Sequence, residues 1–169
     1  MQPAATRRGR LSSIPVDRID LALIELLRGN ARLSFAELAR QVGLSAPSVH
    51  ERVAKLESSG VLKAYRADVD PVSIGLGVTA LIGVSQVSGH EVEDITAPLR
   101  ELVEIESCYY LAGAESLQLL ARVGTIAELE QLIGRINRVP GVASTRTVIA
   151  LSTKWEHRPQ PTRGAAATE

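Results

Sequence analysis

Apolar residues recur at helical spacing over the first third of the chain and give way to alternation after it. Ile19, Ala22, Leu23, Leu26 and Leu27 fall at i, i+3, i+4, i+7 and i+8, the stripe of an amphipathic helix. Asp17 stands at the position of an N-cap, and Gly29-Asn30 is a stop signal. A second helix is predicted from Ser34, with Glu37 at capping-box spacing, so that hydroxyl and carboxylate each satisfy an unpaired N–H. Leu38 and Val42 supply its stripe, and Gly43 lets the chain leave it with positive φ. Ser45 caps a third helix. Pro47 is tolerated in its first turn, where N–H groups have no intrahelical partner. Val49, Val53 and Leu56 form the inner stripe of this helix, and Gly60 is its expected stop. Ser48, Glu51 and Lys55 stand on the opposite face, with His50 and Arg52 on the flanks. Two short helices across a Gly-containing turn make a helix-turn-helix, and the polar outer face of the second suits a DNA major groove. Turns of this kind also occur in all-α domains that never touch DNA. The first helix completes a minimal core of about 45 residues.

From Val61 the rhythm changes. Val61 to Val69 alternates and predicts a short strand leading out of the helical domain. Asp70-Pro71 and Gly75-x-Gly77 break the pattern and mark a linker; a lone GxG lacks the context of a nucleotide loop. Val78 to Val87 is a predicted strand with Val78, Ala80, Ile82 and Val84 on one face. His90 to Val103 has helical spacing through Val92, Ile95, Leu99 and Leu102. Pro98 inside it predicts a kink or a late start near Thr96. Ser107–Leu111 and Leu117–Val123 are two strands joined by residues 112–116. Thr125 with Glu128 is a further capping box, opening a helix on Ile126, Leu129, Ile133 and Ile136. Pro140-Gly141 ends it, and Thr145–Leu151 is the last strand. The order βαββαβ is the ferredoxin-like split motif, which lays both helices on one face of an antiparallel sheet. If the other face is apolar, it needs a partner, and two such sheets face to face make a symmetric dimer.

The predicted class is therefore α+β. A three-helix, winged-helix-like helix-turn-helix domain over residues 16–70 is joined by a linker over 71–76 to a ferredoxin-like domain over 77–156. Residues 1–15, with Arg7, Arg8 and Arg10, read as a flexible basic arm, and 157–169 as a disordered tail rich in Pro, Thr, Gly and Ala. An apolar fraction of 45% in 169 residues is ample for packed cores. No apolar run is long enough to span a membrane, and no apolar stretch follows the N-terminal arginines as a secretory signal would require. Cys108 is the only cysteine and the three histidines are scattered, so no disulfide, metal site or cofactor is expected, and a cytoplasmic setting is. Net charge is zero, yet residues 1–70 hold eleven Lys and Arg against eight Asp and Glu. That excess places any polyanion partner on the first half.

Several motifs carry a family resemblance. Asp17-x-x-Asp20, Arg32-Leu33-Ser34-x-x-Glu37-Leu38-Ala39 and Val42-Gly43-Leu44-Ser45 are followed by Val49-x-x-Arg52-Val53-x-x-Leu56-Glu57 and Gly60-Val61-Leu62-x-x-Tyr65. Together they closely resemble the leucine-responsive/AsnC, or feast/famine, regulators. Glu106-Ser107-Cys108-Tyr109, Gly113 and Pro140-Gly141-Val142 resemble that family's ligand-sensing domain. The likeness runs from about Val16 to Trp155. It implies a transcription factor that dimerises through the βαββαβ domain, assembles further into tetramers to octamers, and binds a small effector, usually an amino acid. It also implies an effector site between neighbouring dimers, beside the turn that Gly113 begins. Many relatives carry an aspartate three residues after that glycine, where this chain has Ser116, and an acid where it has Ala114.

The expected DNA-contacting residues are Ser34, Ser45, Ala46, Pro47, Ser48, His50, Glu51, Arg52 and Lys55 on double-stranded DNA. Arg52 and Lys55 are read as phosphate contacts, with an ion pair from Arg52 to Glu57 or Glu37 as the structural alternative. For the effector, Gly113 admits backbone N–H groups to a carboxylate, and Glu115 and Ser116 accept from an ammonium. Ala114 completes the turn, and Thr145 and Thr147 are expected to line the same pocket. Two rival classes remain at this point. An enzyme could use His90, Cys108 or Glu115, although no triad-like spacing accompanies them and Cys108 reads as a buried thiol. An amino-acid-binding oligomeric module without DNA binding is the other.

Overall fold

The computed structural model describes residues 16–160; the expected basic arm and most of the expected tail lie outside them. Its contacts divide the chain near residue 67, and a second unit spans Asp68–Glu156. The first unit holds α1 (Arg18–Gly29), α2 (Phe35–Val42) and α3 (Ala46–Ser58). All three start where their caps predict. Asp17 Oδ1 accepts from the Asp20 N–H at 2.8 Å, and Asp20 Oδ2 accepts from the Asp17 N–H at 3.1 Å. Ser34 Oγ accepts from the Glu37 N–H at 3.2 Å, and Glu37 Oε2 accepts from the Ser34 N–H at 2.7 Å. Gly43 leaves α2 at φ 70°, a left-handed conformation that costs a side-chain-bearing residue energy. Leu23, Leu27, Leu38, Ala39, Val49 and Val53 close a small core between the helices.

The stretch Val61–Val69 forms no strand. A strand needs a neighbouring edge to pair with, and among the described residues the first unit contains none. The segment is instead tied back to α3 by the Tyr65 hydroxyl, which donates to Glu57 Oε1 at 2.8 Å. Partial burial, and next the Glu57 carboxylate, push the Tyr65 phenol up to about 12.

The second unit is a four-stranded antiparallel sheet in the order β2-β3-β1-β4. Its elements run β1 (Val78–Gln86), α4 (Val92–Arg100), β2 (Ile105–Tyr110), β3 (Leu117–Val123), α5 (Ile126–Asn137) and β4 (Val142–Ile149). Ala80, Ile82 and Val84 of β1 and Leu117, Leu119 and Ala121 of β3 are buried beneath Ile95 and Leu99 of α4 and Leu129, Leu132 and Ile136 of α5. The apolar face of β1 thus belongs to the helix-covered side. The other side of the sheet carries Leu81, Tyr109 and Val148, each exposed by 42–57%.

Helix α4 starts at Val92, not near Thr96, and Pro98 falls in its last turn. Missing N–H and ring bulk there fit a helix that ends at Arg100. At α5 the Thr125 hydroxyl accepts from the Glu128 N–H at 3.2 Å, while Glu128 Oε2 reaches back to the Gly124 N–H at 2.9 Å. Ile126, expected in the stripe of this helix, is 58% exposed, whereas Leu132 is fully buried. No helix among the described residues is long and apolar enough to cross a membrane. Leu132→Ala is therefore expected to cost about 2–5 kcal/mol, through lost contacts and the cavity left behind. Ile126→Ala should stay within about 0.5 kcal/mol of the native protein. Urea titration of both variants measures the difference.

Candidate nucleic-acid interface and effector turn

Burial of Val49, Val53 and Leu56 fixes the rotation of α3 about its axis. Ser48, His50, Glu51 and Lys55 consequently stand exposed. The first turn is held by Ser45, whose Oγ accepts from the Ser48 N–H at 3.3 Å and lies 2.8 Å from the Ser48 hydroxyl. Pro47 follows it without breaking the helix. Ala46 is half-buried against the helical core, so it contributes more to packing than to the outer surface. The His50 ring stands edge-on to Phe35 at 4.9 Å between centroids, which ties the flank of α3 to the start of α2 next to Ser34.

Arg52 differs from expectation. Its Nη1 donates to Asp17 Oδ2 at 2.6 Å and to Asp20 Oδ1 at 2.7 Å, so neither Glu57 nor Glu37 is its partner. Glu57 instead accepts from Tyr65, and Glu37 is engaged in the α2 capping box. The Asp17–Asp20 capping box uses one oxygen of each carboxylate for the helix start and turns the other toward α3. The sequence offered Asp20 only as part of the Asp17-x-x-Asp20 motif, without a partner on α3. Two carboxylates at both positions of a capping box, with oxygens to spare, were the available signal. The N–H of Asp20, and next the Arg52 guanidinium, hold the Asp17 carboxyl below its ordinary value of 3.8. Lys55 lies on the same exposed hollow as Ser48, Glu51 and Arg52.

The turn over residues 111–116 is closed by the Leu111 N–H donating to the Ser116 carbonyl at 2.8 Å. It is moored to the central strand by the Ser116 N–H, which donates to the Val84 carbonyl at 2.9 Å. Glu115 Oε1 accepts from Arg146 Nε at 2.6 Å, and this partner holds the Glu115 carboxyl below its ordinary range. Gly113 and Ala114 are exposed, and Gly113 does not have a positive φ. A Cβ on Gly113 would meet nothing closer than 4.0 Å, so packing within the chain does not require glycine there.

Thr145 and Thr147 do not share a face with Glu115. They pair with Val84 and Ile82, so their side chains point to the helix-covered side. Arg146, between them, points to the open side and meets Glu115 there. Alternation along β4 divides the expected pocket between two faces. Cys108 is exposed on the outermost strand β2, not buried as expected. Partial desolvation raises its thiol pKa, with Arg100 opposing, which is the reverse of nucleophile activation.

The AsnC-type helix-turn-helix domain model matches residues 16–57, and the Lrp/AsnC ligand binding domain model matches residues 79–160. The chain belongs to the Lrp/AsnC family. It is 37% identical to the HTH-type transcriptional regulator LrpA of Mycobacterium tuberculosis, covering 85% of this chain and 95% of that protein. It is 34% identical to the regulatory protein AsnC of Escherichia coli K12, over 80% of this chain and 90% of that one. Among solved structures, a feast or famine regulatory protein from M. tuberculosis complexed with L-methionine matches with a TM-score of 0.82 at 36% identity, covering 87% of this chain and 99% of that one.

These Lrp/AsnC relatives are named transcriptional regulators, not enzymes, and this chain is a DNA-binding transcriptional regulator with a ligand-binding domain. The module without DNA binding is thereby set aside. In this Lrp/AsnC protein the Asp17–Arg52–Asp20 bridge ties the start of α1 to α3, the second helix of the helix-turn-helix. Arg52→Ala is expected to lower the Tm at neutral pH, and Lys55→Ala to leave it unchanged. Because the Asp17 pKa is depressed in the folded state, its contribution is complete above 3.8 and lost as pH falls through the lower folded value. Asp17→Asn should therefore lower the Tm at neutral pH and show a smaller loss on acidification below 3.8 than the native protein. Scanning calorimetry across that range reads both effects; an Arg52→Ala variant as stable as native would contradict the bridge.

Proposed function

We propose that α3 enters the DNA major groove as one half of a symmetric dimer, and that the turn over 111–116 takes a free amino acid. The exposed polar face of α3, opposite its buried stripe, carries this reading. Ser48, His50 and Glu51 lie toward the N-terminal half of α3, which faces base edges in this docking mode. Lys55 supplies a phosphate contact. Arg52 uses Nη1 for both aspartates, so Nη2 and Nε remain to donate to a phosphate while the bridge holds the guanidinium in place. Ser34, Ser45 and Pro47 stand at the starts of α2 and α3, where backbone N–H groups suit phosphate oxygens. Lys55→Ala should weaken binding by a similar factor on every duplex and reduce the salt slope by about one. A slope equal to that of the native protein would remove Lys55 from the interface.

The dimer reading is supported by the open sheet face. Leu81, Tyr109 and Val148 leave an apolar patch there that a second copy of the sheet would cover, with tetramers to octamers built from such dimers. A cytoplasmic setting follows from the DNA partner. Leu81→Glu places a charge at the centre of that patch and should shift the assembly toward monomer at micromolar concentration. Light scattering checks it, and an unchanged mass would place the interface elsewhere.

The amino-acid reading is supported by the L-methionine bound to the M. tuberculosis relative and by Gly113. A glycine that neither backbone conformation nor packing requires leaves room for something outside the chain. Glu115, Ser116 and the backbone around Gly113 and Ala114 offer acceptors and donors to a zwitterion.

A further inference from the structure

Gly83 lies in the middle of the central strand, opposite Arg146 on β4 and Gln118 on β3. Its neighbours Ile82 and Val84 point into the core, so a side chain at 83 would point to the open face. A Cβ there would fall 2.8 Å from Glu115 Cγ and 3.2 Å from Glu115 Cδ and Oε1. The Glu115 side chain therefore crosses the sheet over the one position of β1 that has no side chain, and it arrives at Arg146 Nε on the far side. An isolated glycine inside an alternating strand is the sequence signal for a close approach of this kind.

We infer that Gly83 is a positioning residue of the effector turn: the side chain it lacks is the slot through which Glu115 reaches Arg146. The inference rests on the reading of residues 111–116 as an amino-acid site. The turn has two moorings to the sheet, the Ser116 N–H on the Val84 carbonyl and the Glu115 carboxylate on Arg146. The first fixes the end of the turn. The second fixes the orientation of Glu115 immediately after Gly113 and Ala114, where the ligand is expected. Any residue with a Cβ at 83 forces the Glu115 side chain out of this path, breaks the charge-assisted hydrogen bond and lets the turn change shape. Arg146, which is 67% exposed on its side chain, sits on the same face as Leu81 and Val148. The slot therefore joins the effector turn to the face expected to dimerise.

The test is calorimetry of the full chain with each of the twenty L-amino acids, on the native protein and on Gly83→Ala, Glu115→Ala and the double variant. The native protein's best binder should lose about tenfold in affinity with Gly83→Ala, the scale of one charge-assisted hydrogen bond. The double variant should bind no more weakly than Glu115→Ala alone, because the clash exists only while Glu115 is present. A general folding defect at position 83 would instead add to the Glu115 effect and overturn the inference. NMR titration of the Glu115 carboxyl supplies a readout without ligand: its pKa should return to the ordinary range in Gly83→Ala. Should Gly83→Ala alone fail to fold, the double variant, which lacks the obstructing side chain, should fold and bind as Glu115→Ala does; failure of the double variant to fold overturns the inference. Binding by native and Gly83→Ala alike, with Glu115 titrating as in the native protein, overturns the inference alone. Binding of no amino acid by the native protein overturns the effector reading and this inference with it.

Discussion

Val49, Val53 and Leu56 can enter the helical core only if α3 turns one side inward, and that rotation is what leaves Ser48, Glu51 and Lys55 outside. The same constraint governs the sheet. Ala80, Ile82 and Val84 face α4 and α5, so the alternate positions Leu81 and Gly83 must face away from them. In both units, burial on one side of an element defines the surface on the other. The exposed polar side of α3 and the open sheet face are each the complement of a packed core. A one-residue slip in β1 would exchange the two faces completely.

Charged groups refine these surfaces. Arg52 carries a cation beside the exposed polar side of α3 and is anchored by carboxylates that already cap α1. The cap of α1 and the ion pair to α3 therefore share Asp17 and Asp20. Arg122 plays a comparable part on the open side of the sheet. Its guanidinium is held by Glu106 at 2.6 Å and by Glu156 of the segment following β4. Its residue is 92% shielded even though it lies on the face without helices. A buried cation with several acceptors holds a chain segment in place more through geometry than through net stability.

Much of this was legible in one dimension because it depends on short-range periodicity. The three helices, their serine and aspartate caps, the stop at Gly43 and the βαββαβ order all follow from spacings within a few residues. The resemblance to the Lrp/AsnC regulators drew on the same motifs. Reading failed where an element needed something distant. Val61–Val69 alternates as a strand should, yet among the described residues the first unit offers no edge to pair with it. Ile126 has the right spacing for the α5 stripe, yet as the first residue of the helix it stays exposed, and Leu132 takes a core position.

What the sequence by itself determined is which side of each element is apolar, where the helices begin and which family the chain resembles. Local hydrogen bonding and the periods of helix and strand suffice for that. Tertiary structure decided which distant groups meet. Arg52 lies 32 and 35 positions from its two aspartates, and Arg146 lies 31 from Glu115. Such pairings depend on the register of strands and the docking of helices, which no local spacing encodes. The division of Thr145 and Thr147 from Glu115 has the same origin, because a pleated strand sends neighbouring side chains to opposite faces and only the paired register says which face is which.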